Sequence, residues 1–391
     1  MKRKSLKHGY TTGACAAAAA RGAAIMLRDR RIAEEAEITL PGGERVRFRL
    51  NGQEITDDAA SCFVIKDAGD DPDVTNGAEI HAKVSLNTPS ALTAERDNDF
   101  VIIEGGAGIG RVTKPGLAVS VGEWAINPVP RRMITEAVRE VFASHVSRLT
   151  SHVTISIPNG EELAKKTLNA RLGIIGGLSI LGTTGIVTPI SAQAWTDTID
   201  SAIDVALACG CKTLVLSTGR TSEQVAQRFF SGNGTKKALS AEKEIRDVLS
   251  PSSLALCPLP AESYIMMGDH AGYAVRACAR KGVRNIVIAG QFAKLLKIAR
   301  GHEQTHVSSS KLDLKELAAW LGNTSHVSRL TSHVLKANTA REVLEASGHD
   351  AELIAVVCSK VLEFARRMEP GLRINVLLAG YGGEVLYYGP N

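Results

Sequence analysis

Aromatic residues are scarce, at 4% of the 391-residue chain. That takes weight away from nucleic-acid folds that stack bases on exposed rings. Cysteine is sparse too: Cys15, Cys62, Cys209, Cys211, Cys257, Cys278 and Cys358 are scattered, odd in number and form no C-x-x-C pair. Neither a disulfide framework nor a zinc site follows from that spacing. The close pair Cys209-Gly-Cys211 supplies too few ligands for a metal, and the set reads as buried, reduced thiols of a cytosolic protein. An uninterrupted apolar run is also missing. The alanine-rich stretch behind Met1-Lys-Arg-Lys imitates a signal peptide, but Arg21 breaks it and Arg28, Arg30 and Arg31 follow. Alanine is the best helix former, so Gly13 to Arg28 reads as a helix of a soluble protein. Residues 173–190 carry no charge over 18 positions, near the length of a membrane span. They hold five glycines, three threonines and Pro189, and read instead as a buried glycine-rich turn region. With no targeting segment, the expectation is a cytoplasmic protein without a membrane partner.

The remaining composition is that of an ordinary globular protein, 44% hydrophobic and 22% charged, with length for about two domains. The formal charge of +5 is mildly basic. Dense Lys/Arg clusters are lacking, so no nucleic-acid partner is expected, and a polyanionic small molecule suits the balance. Oligomeric state is not legible, and a homo-oligomer stays open.

Apolar periodicity divides the chain near residue 192, where Pro189 and Ser191 close the glycine-rich stretch. Residues 1–192 read as an α+β domain, with strands at 38–40, 46–50, 61–67, 79–86, 100–104 and 153–157 and a helix at 131–142. Residues 193–391 read as an α/β domain with a small parallel sheet. Its strands are 213–217, 254–257, 285–289, 374–378 and 385–388. Its helices are 197–209, 222–230, 268–280, 292–300, 312–321, 340–346 and 351–366. One decapeptide, SHVSRLTSHV, occurs at 144–153 and again at 325–334 and carries four of the ten histidines. Twin metal or proton sites are one reading; an inserted or duplicated surface-loop segment is the other.

Several segments carry chemistry. Gly9-Tyr10-Thr11-Thr12-Gly13 opens the first helix. Thr11 or Thr12 can cap it, leaving N–H groups for a carboxylate or phosphate, or is simply a cap. Asp67-Ala-Gly-Asp70-Asp71-Pro-Asp73 masses carboxylates, with Pro72 and a late Glu79 against an EF-hand loop. Mutual repulsion is expected to raise at least one carboxyl pKa, which suits acid/base work; the alternative is a solvated turn. Residues 176–185 end in Gly182-Thr183-Thr184-Gly185, with no Walker lysine and no dinucleotide fingerprint. They offer close backbone approach to an adenosine-bearing ligand, or tight packing. Ser217-Thr218-Gly219 and Ala289-Gly290-Gln291 both follow strands and precede helices, where open α/β sheets bind ligands. Gly301-His302-Glu303-Gln304-Thr305-His306 follows a helix bearing Lys294, Lys297 and Arg300. Those cations disfavour a metal and suit an anion or proton transfer. Pro128-Val-Pro-Arg131-Arg132 is a second cationic site.

Together these segments resemble the CbiD family, the cobalt-precorrin-5B C1-methyltransferases of anaerobic cobalamin biosynthesis. The resemblance runs through GYTTGACAAAAA, KDAGDDPDVTNGAEI, GIGRVTKPG, AINPVPRRMI, TISIPNGEELAKKTLNARLGI, LGTTGIVTPIS, TGRTSE, MGDHAGYAV and GHEQTH. It covers most of residues 7–310 and departs mainly at the two SHVSRLTSHV segments. It implies methyl transfer from S-adenosylmethionine to C1 of cobalt-precorrin-5B, giving cobalt-precorrin-6A, with cobalt present only as part of the substrate and no metal of the protein's own. On that footing Gly182, Thr183, Thr184, Gly185, Ser217, Thr218, Gly219 and Gln291 are expected to hold the donor. Tyr10, Thr11, Thr12, Arg131, Arg132 and Lys294 are expected to meet the carboxylate fringe of the corrinoid. His306, Asp269 and Asp71 are expected to handle a proton. A phosphoryl-transfer enzyme and a corrinoid carrier without methyl transfer are the competing readings.

Overall fold

The computed structural model describes residues 6–87, 101–143, 150–232, 258–307, 309–310, 313–321, 331 and 334–390. Two compact units divide the chain, Met1–Ser191 and Ala192–Asn391.

In the first unit the elements run β1 (Gly9–Tyr10), α1 (Thr12–Asp29), β2 (Glu35–Thr39), β3 (Arg45–Arg49), β4 (Asn51–Ile55), β5 (Ala59–Ile65), β6 (Glu79–Asn87), β7 (Val101–Gly105), β8 (Arg111–Val112), α2 (Pro128–Phe142), β9 (Thr150–Ser156), α3 (Gly160–Ala164), β10 (Ile174–Ile175) and β11 (Ile186–Val187). The main sheet has the order β4-β5-β6-β9-β7. Only β7 and β9 pair in parallel. Helix α1 lies against β5, β6 and α2 and is buried almost all round. That explains its composition: a helix enclosed on every side has no polar stripe, and alanine lets its neighbours close in. At Gly22 even one added carbon would come 2.4 Å from Leu50 Cδ1. Strand β4, with its polar sequence NGQEI, lies at the sheet edge and was not expected from the alternation.

The second unit runs α4 (Ala192–Ala208), β12 (Thr213–Ser217), α5 (Arg220–Phe230), β13 (Tyr264–Met266), α6 (Ala271–Arg280), β14 (Asn285–Gln291), α7 (Phe292–Ala299), α8 (Leu314–Leu321), α9 (Ala340–Ala346), α10 (Ala351–Met368), β15 (Arg373–Ala379) and β16 (Val385–Gly389). Its sheet has the order β13-β12-β14-β15-β16, parallel except for β16, which returns antiparallel on β15. Alternate residues face opposite layers, as the pleat requires. Leu214, Leu216, Ile286 and Ile288 join one core with α6, α7 and α10; Val215, Val287 and Ala289 join another with α5. With both faces covered, the strands read as continuous apolar runs. The strand expected at 254–257 lies outside the described residues. Among the described residues β13 takes the place beside β12, and its three residues are too short for periodicity to find.

Two expectations fail. Residues 150–152, near the end of the first SHVSRLTSHV copy, are not surface loop but open β9 ahead of the strand expected from Val153, and β9 pairs with both β6 and β7. In the second copy Thr331 and Val334 are helical. The rest of both copies, 144–149, 325–330 and 332–333, lies outside the described residues. The glycine-rich stretch 173–190 is a turn region but is not buried throughout: Ile175, Leu181 and Ile190 are exposed. No described helix is long and apolar enough to cross a membrane.

Candidate active site

The strand order of the second unit fixes where a ligand can enter. From β12 the chain leaves through α5 to one face; from β14 it leaves through α7 to the other. Neighbouring strands whose connections diverge open a crevice at their carboxyl ends, the topological switch point of doubly wound sheets. That crevice is bounded by Ser217-Thr218-Gly219 and Gly290-Gln291, and the Thr218 N–H donates to the Ala289 carbonyl at 2.9 Å. Gly290 is required there: a Cβ would sit 2.8 Å from Leu295 Cδ2 and 3.1 Å from Thr218 Oγ1. Helices α5 and α7 start at this edge on Gly219 and Gln291, neither with a side-chain cap. Ser217 is 0% exposed, and its Oγ has no hydrogen-bond partner. By the pleat it lies on the α5 side with Val215. An orphaned buried hydroxyl is costly unless something else satisfies it.

The loop after β13 joins the same edge. Met267 and Gly268 donate their N–H groups to the Ser217 carbonyl at 2.9 and 3.3 Å, which carries Asp269 beside the crevice. Asp269 Oδ1 accepts from Lys294 Nζ and, at 2.6 Å, from Thr305 Oγ1. Lys297 is buried and gives its ammonium to the Thr305 carbonyl at 2.9 Å. Burial pushes the Asp269 carboxyl up, but the hydrogen bonds from Lys294 and Thr305, with the Lys294 and His306 charges, outweigh it and hold the pKa below the ordinary value. Lys297 is pulled down by burial and by Lys294. His270, whose Nδ1 lies 3.1 Å from Gln304 Nε2, is lowered by burial against the pull of Asp269. His302 Nε2 is buried without a partner, and that ring is lowered by burial, Arg300 and Lys297. The Tyr381 hydroxyl, from the turn between β15 and β16, meets the backbone of Ala293 in the first turn of α7.

A second convergence lies in the first unit. Tyr10 and Ile186 pair across β1 and β11, and the Thr11 N–H donates to the Gly185 carbonyl at 3.0 Å. Thr11 Oγ1 caps α1 by accepting from the Ala14 N–H at 3.2 Å. Gly13 and Cys15 donate to the Leu181 and Thr11 carbonyls, and the Leu181 N–H donates to Thr12 Oγ1 at 3.0 Å. The N–H groups expected to be free at this helix start are therefore largely engaged, because the 181–185 loop folds onto it. Gly182, at φ +122°, makes that approach: its Cβ would stand 2.4 Å from Thr11. The Asp67–Asp73 loop also docks here, with Tyr10 N–H bound to the Asp67 carbonyl at 2.8 Å. Asp71 Oδ1 accepts from the Ile190 N–H at 2.8 Å. The expected raised carboxyl is not found at Asp67 or Asp73. The Lys7 ammonium and the Gly69 N–H hold Asp67 down; at Asp73 burial is outweighed by Lys66 and Thr75. Among the described residues no cluster that could hold a metal ion is present.

The expected residues thus fall into two sets. Ser217, Thr218, Gly219, Gln291, Asp269 and Lys294 gather at one sheet edge in the second unit, with exposed His306 near enough for its charge to act on Asp269. Tyr10, Thr11, Thr12, Asp71 and Gly182–Gly185 gather in the first, with Thr183 and Thr184 exposed. Arg131 lies in the first turn of α2 and reaches the Ile103 carbonyl at 3.3 Å; exposed Arg132 lines a cleft of about 400 Å³ with Arg21, Glu136 and Glu140. Sequence reasoning missed the parts of Thr305 and Tyr381, although T-H in GHEQTH and the glycine-rich turn GYGGE after a strand were available signals. Cys209 is exposed rather than buried.

A family model described as CbiD matches residues 1–189, and one described as CbiD, C-terminal domain, matches residues 304–390. The chain is 61% identical to a cobalt-precorrin-5B C(1)-methyltransferase of Geobacter metallireducens and 62% identical to that of Geobacter sulfurreducens, each alignment covering 100% of both chains. A protein of the same name from a Geobacillus species is 40% identical over 98% of this chain and 96% of its own. Among solved structures, a crystal structure of cobalamin biosynthesis protein cbiD from Archaeoglobus fulgidus is 25% identical, covering 74% of this chain and 78% of that one at a TM-score of 0.36.

Proposed function

The chain belongs to the CbiD family, and from that membership we infer that it transfers a methyl group to C1 of cobalt-precorrin-5B. It is a C-methyltransferase of cobalamin biosynthesis. The carrier reading has no support among the relatives, which are named as methyltransferases.

The donor in this reading is S-adenosylmethionine, held at the switch point of the second unit. The observation that carries the placement is the buried, unpartnered Ser217 Oγ beneath the uncapped start of α5. Such a pair suits the hydroxyl-bearing ribose of a nucleoside: the first-turn N–H groups can donate to its oxygens, and the Ser217 hydroxyl can turn to donate or accept. Gly219 leaves the approach open, since a Cβ there would meet nothing within 4 Å. When bound, the donor would supply its methyl on a sulfonium: the C1 electron pair would form the new carbon–carbon bond as the S–CH3 bond breaks and its electron pair stays on sulfur, giving S-adenosylhomocysteine. What the protein adds is positioning and exclusion of water. Asp269, held ionised, can accept a hydrogen bond or proton but does not act as an acid at neutral pH. The Arg132 side chain has no hydrogen bond or ion pair among the described residues, and in this reading it meets a substrate carboxylate from the first unit.

S-adenosylhomocysteine at 100 times its Kd should stabilise the protein by about 2.7 kcal/mol, read as a rise in Tm. Gly219→Val should abolish that rise without lowering the Tm of the unliganded protein. Absence of any shift with the wild-type chain, with and without corrinoid, removes the donor-site assignment.

A further inference from the structure

We propose that the Asp269–Lys294 pair, backed by Thr305 and Lys297, is a clamp for the amino-acid head group of the methyl donor, Asp269 taking the α-ammonium and Lys294 the α-carboxylate. The inference rests on the donor reading above and sharpens it. It also moves both residues out of the roles expected from the sequence, proton handling for Asp269 and corrinoid binding for Lys294.

The argument starts from what each group has left over. Every hydrogen bond that Asp269 receives on its side chain falls on Oδ1, from Lys294 and from Thr305. Oδ2 has no partner among the described residues. Lys294 Nζ spends one proton on Asp269 and one on the Thr305 carbonyl at 3.5 Å, which leaves a third. The pair therefore keeps one acceptor and one donor unused, of opposite charge and side by side. Neither end is sealed in the core, since the side chains are 26% and 33% exposed.

A pair that served only to tie the 301–306 loop to the β13–α6 turn would gain by using both carboxylate oxygens. Here the tie is already made elsewhere: the Thr305 N–H donates to the Asp269 carbonyl at 3.0 Å, Gly272 N–H to the Glu303 carbonyl at 3.0 Å, and Lys297 to the Thr305 carbonyl. Those bonds fix Thr305, and Thr305 fixes Asp269. The result is a preorganised ion pair on a rigid backing.

An α-amino acid head group is a zwitterion with its charges a few bonds apart. A fixed pair of opposite charges meets it with two charge-assisted hydrogen bonds and leaves no net charge stranded. Position agrees. The Asp269 loop hangs on the Ser217 carbonyl through Met267 and Gly268, and Lys294 lies in the first turn of α7, just past Gly290-Gln291. The clamp and the proposed nucleoside crevice thus share one edge of one sheet.

The test compares two ligands on the full-length protein by titration calorimetry. S-adenosylhomocysteine carries the head group; 5′-methylthioadenosine keeps the nucleoside and sulfur but lacks it. Wild-type protein should bind S-adenosylhomocysteine at least tenfold more tightly, a comparison that needs no variant. Asp269→Asn and Lys294→Met should each weaken S-adenosylhomocysteine by 10- to 100-fold and methylthioadenosine by less than twofold. Lys294→Arg should restore most of the loss. Equal weakening of both ligands would mean a structural pair and overturns the clamp. So does an unchanged affinity for S-adenosylhomocysteine in both variants. If neither ligand binds the wild-type protein, the donor site itself falls, and the clamp with it.

Discussion

Lys66 and Asp73 show how much a single buried charge depends on its partner. The Lys66 side chain is 1% exposed, and its ammonium meets Asp73 Oδ2 at 2.7 Å. Asp73 also accepts from the Thr75 N–H and hydroxyl on Oδ1. Removing the carboxylate charge would leave an ammonium in the core, an arrangement that costs about 3 kcal/mol when one partner of a buried pair is deleted. Asp73→Asn keeps the shape and the Thr75 contacts, so it isolates the charge. Its loss of stability should be read from urea unfolding at neutral pH. The sign of the pH dependence follows from the lowered Asp73 pKa. Stability from this carboxylate is complete above its unfolded-state pKa and disappears as the pH falls through the lower folded value. The gap between wild type and Asp73→Asn should therefore close in acid; a gap that persists there would mean that the Asn disturbs packing instead. The sequence showed the carboxylates of this loop but not their states, because repulsion within the loop was visible and the cations of Lys7 and Lys66 were not.

At the scale of elements, the junction of the 9–13 segment with the 181–185 loop is a demanding backbone arrangement of the first unit. Gly182 holds φ +122°, outside the range of ordinary side chains, and faces Thr11 at a distance no Cβ tolerates. Gly182→Ala combines strain with overpacking and should cost about 3 kcal/mol. Hydrogen exchange should speed at the Leu181 and Thr11 amides, which bond across that junction; unchanged protection would show that the loop absorbs the substitution. The elements themselves were largely legible. Alternation and helical spacing located α1, α2, β12, β14 and α10 to within a few residues, since each buries a regular stripe or run. Strands β4 and β13 were not legible, one because its residues are polar and at an edge, the other because it is so short. Of the site, the loops Ser217–Gly219 and Gly290–Gln291 could be named in advance as strand-to-helix turns. That Asp269 and Lys294 meet, twenty-five positions apart, could not, because a helix and a strand lie between them and their packing sets the distance.

For the whole molecule, each unit closes its own core. Alanines of α1 with Ile80, Val84, Ile134 and Ile155 fill the first; Leu214, Ile288, Phe292, Val361 and Val376 belong to the second. Fragments 1–191 and 192–391, produced separately, should each melt cooperatively, as followed by far-ultraviolet circular dichroism. A fragment without a cooperative transition would show that its core is incomplete by itself. The amino-acid sequence alone determined the kind of each layer: which segments are apolar on one stripe, on alternate residues or throughout, and hence a mixed α+β half followed by strands alternating with helices. It also carried the family, through long motifs in a fixed order. Tertiary structure alone decided which strands are neighbours, and so where the diverging connections open a crevice. The decapeptide SHVSRLTSHV makes the reason plain. Its closing residues form part of a strand at 150–153, between β6 and β7, while Thr331 and Val334 of the second copy are helical. Identical local preferences are worth a few tenths of a kcal/mol per residue, and the contacts that bury Val153 in the one copy and Val334 in the other outweigh them.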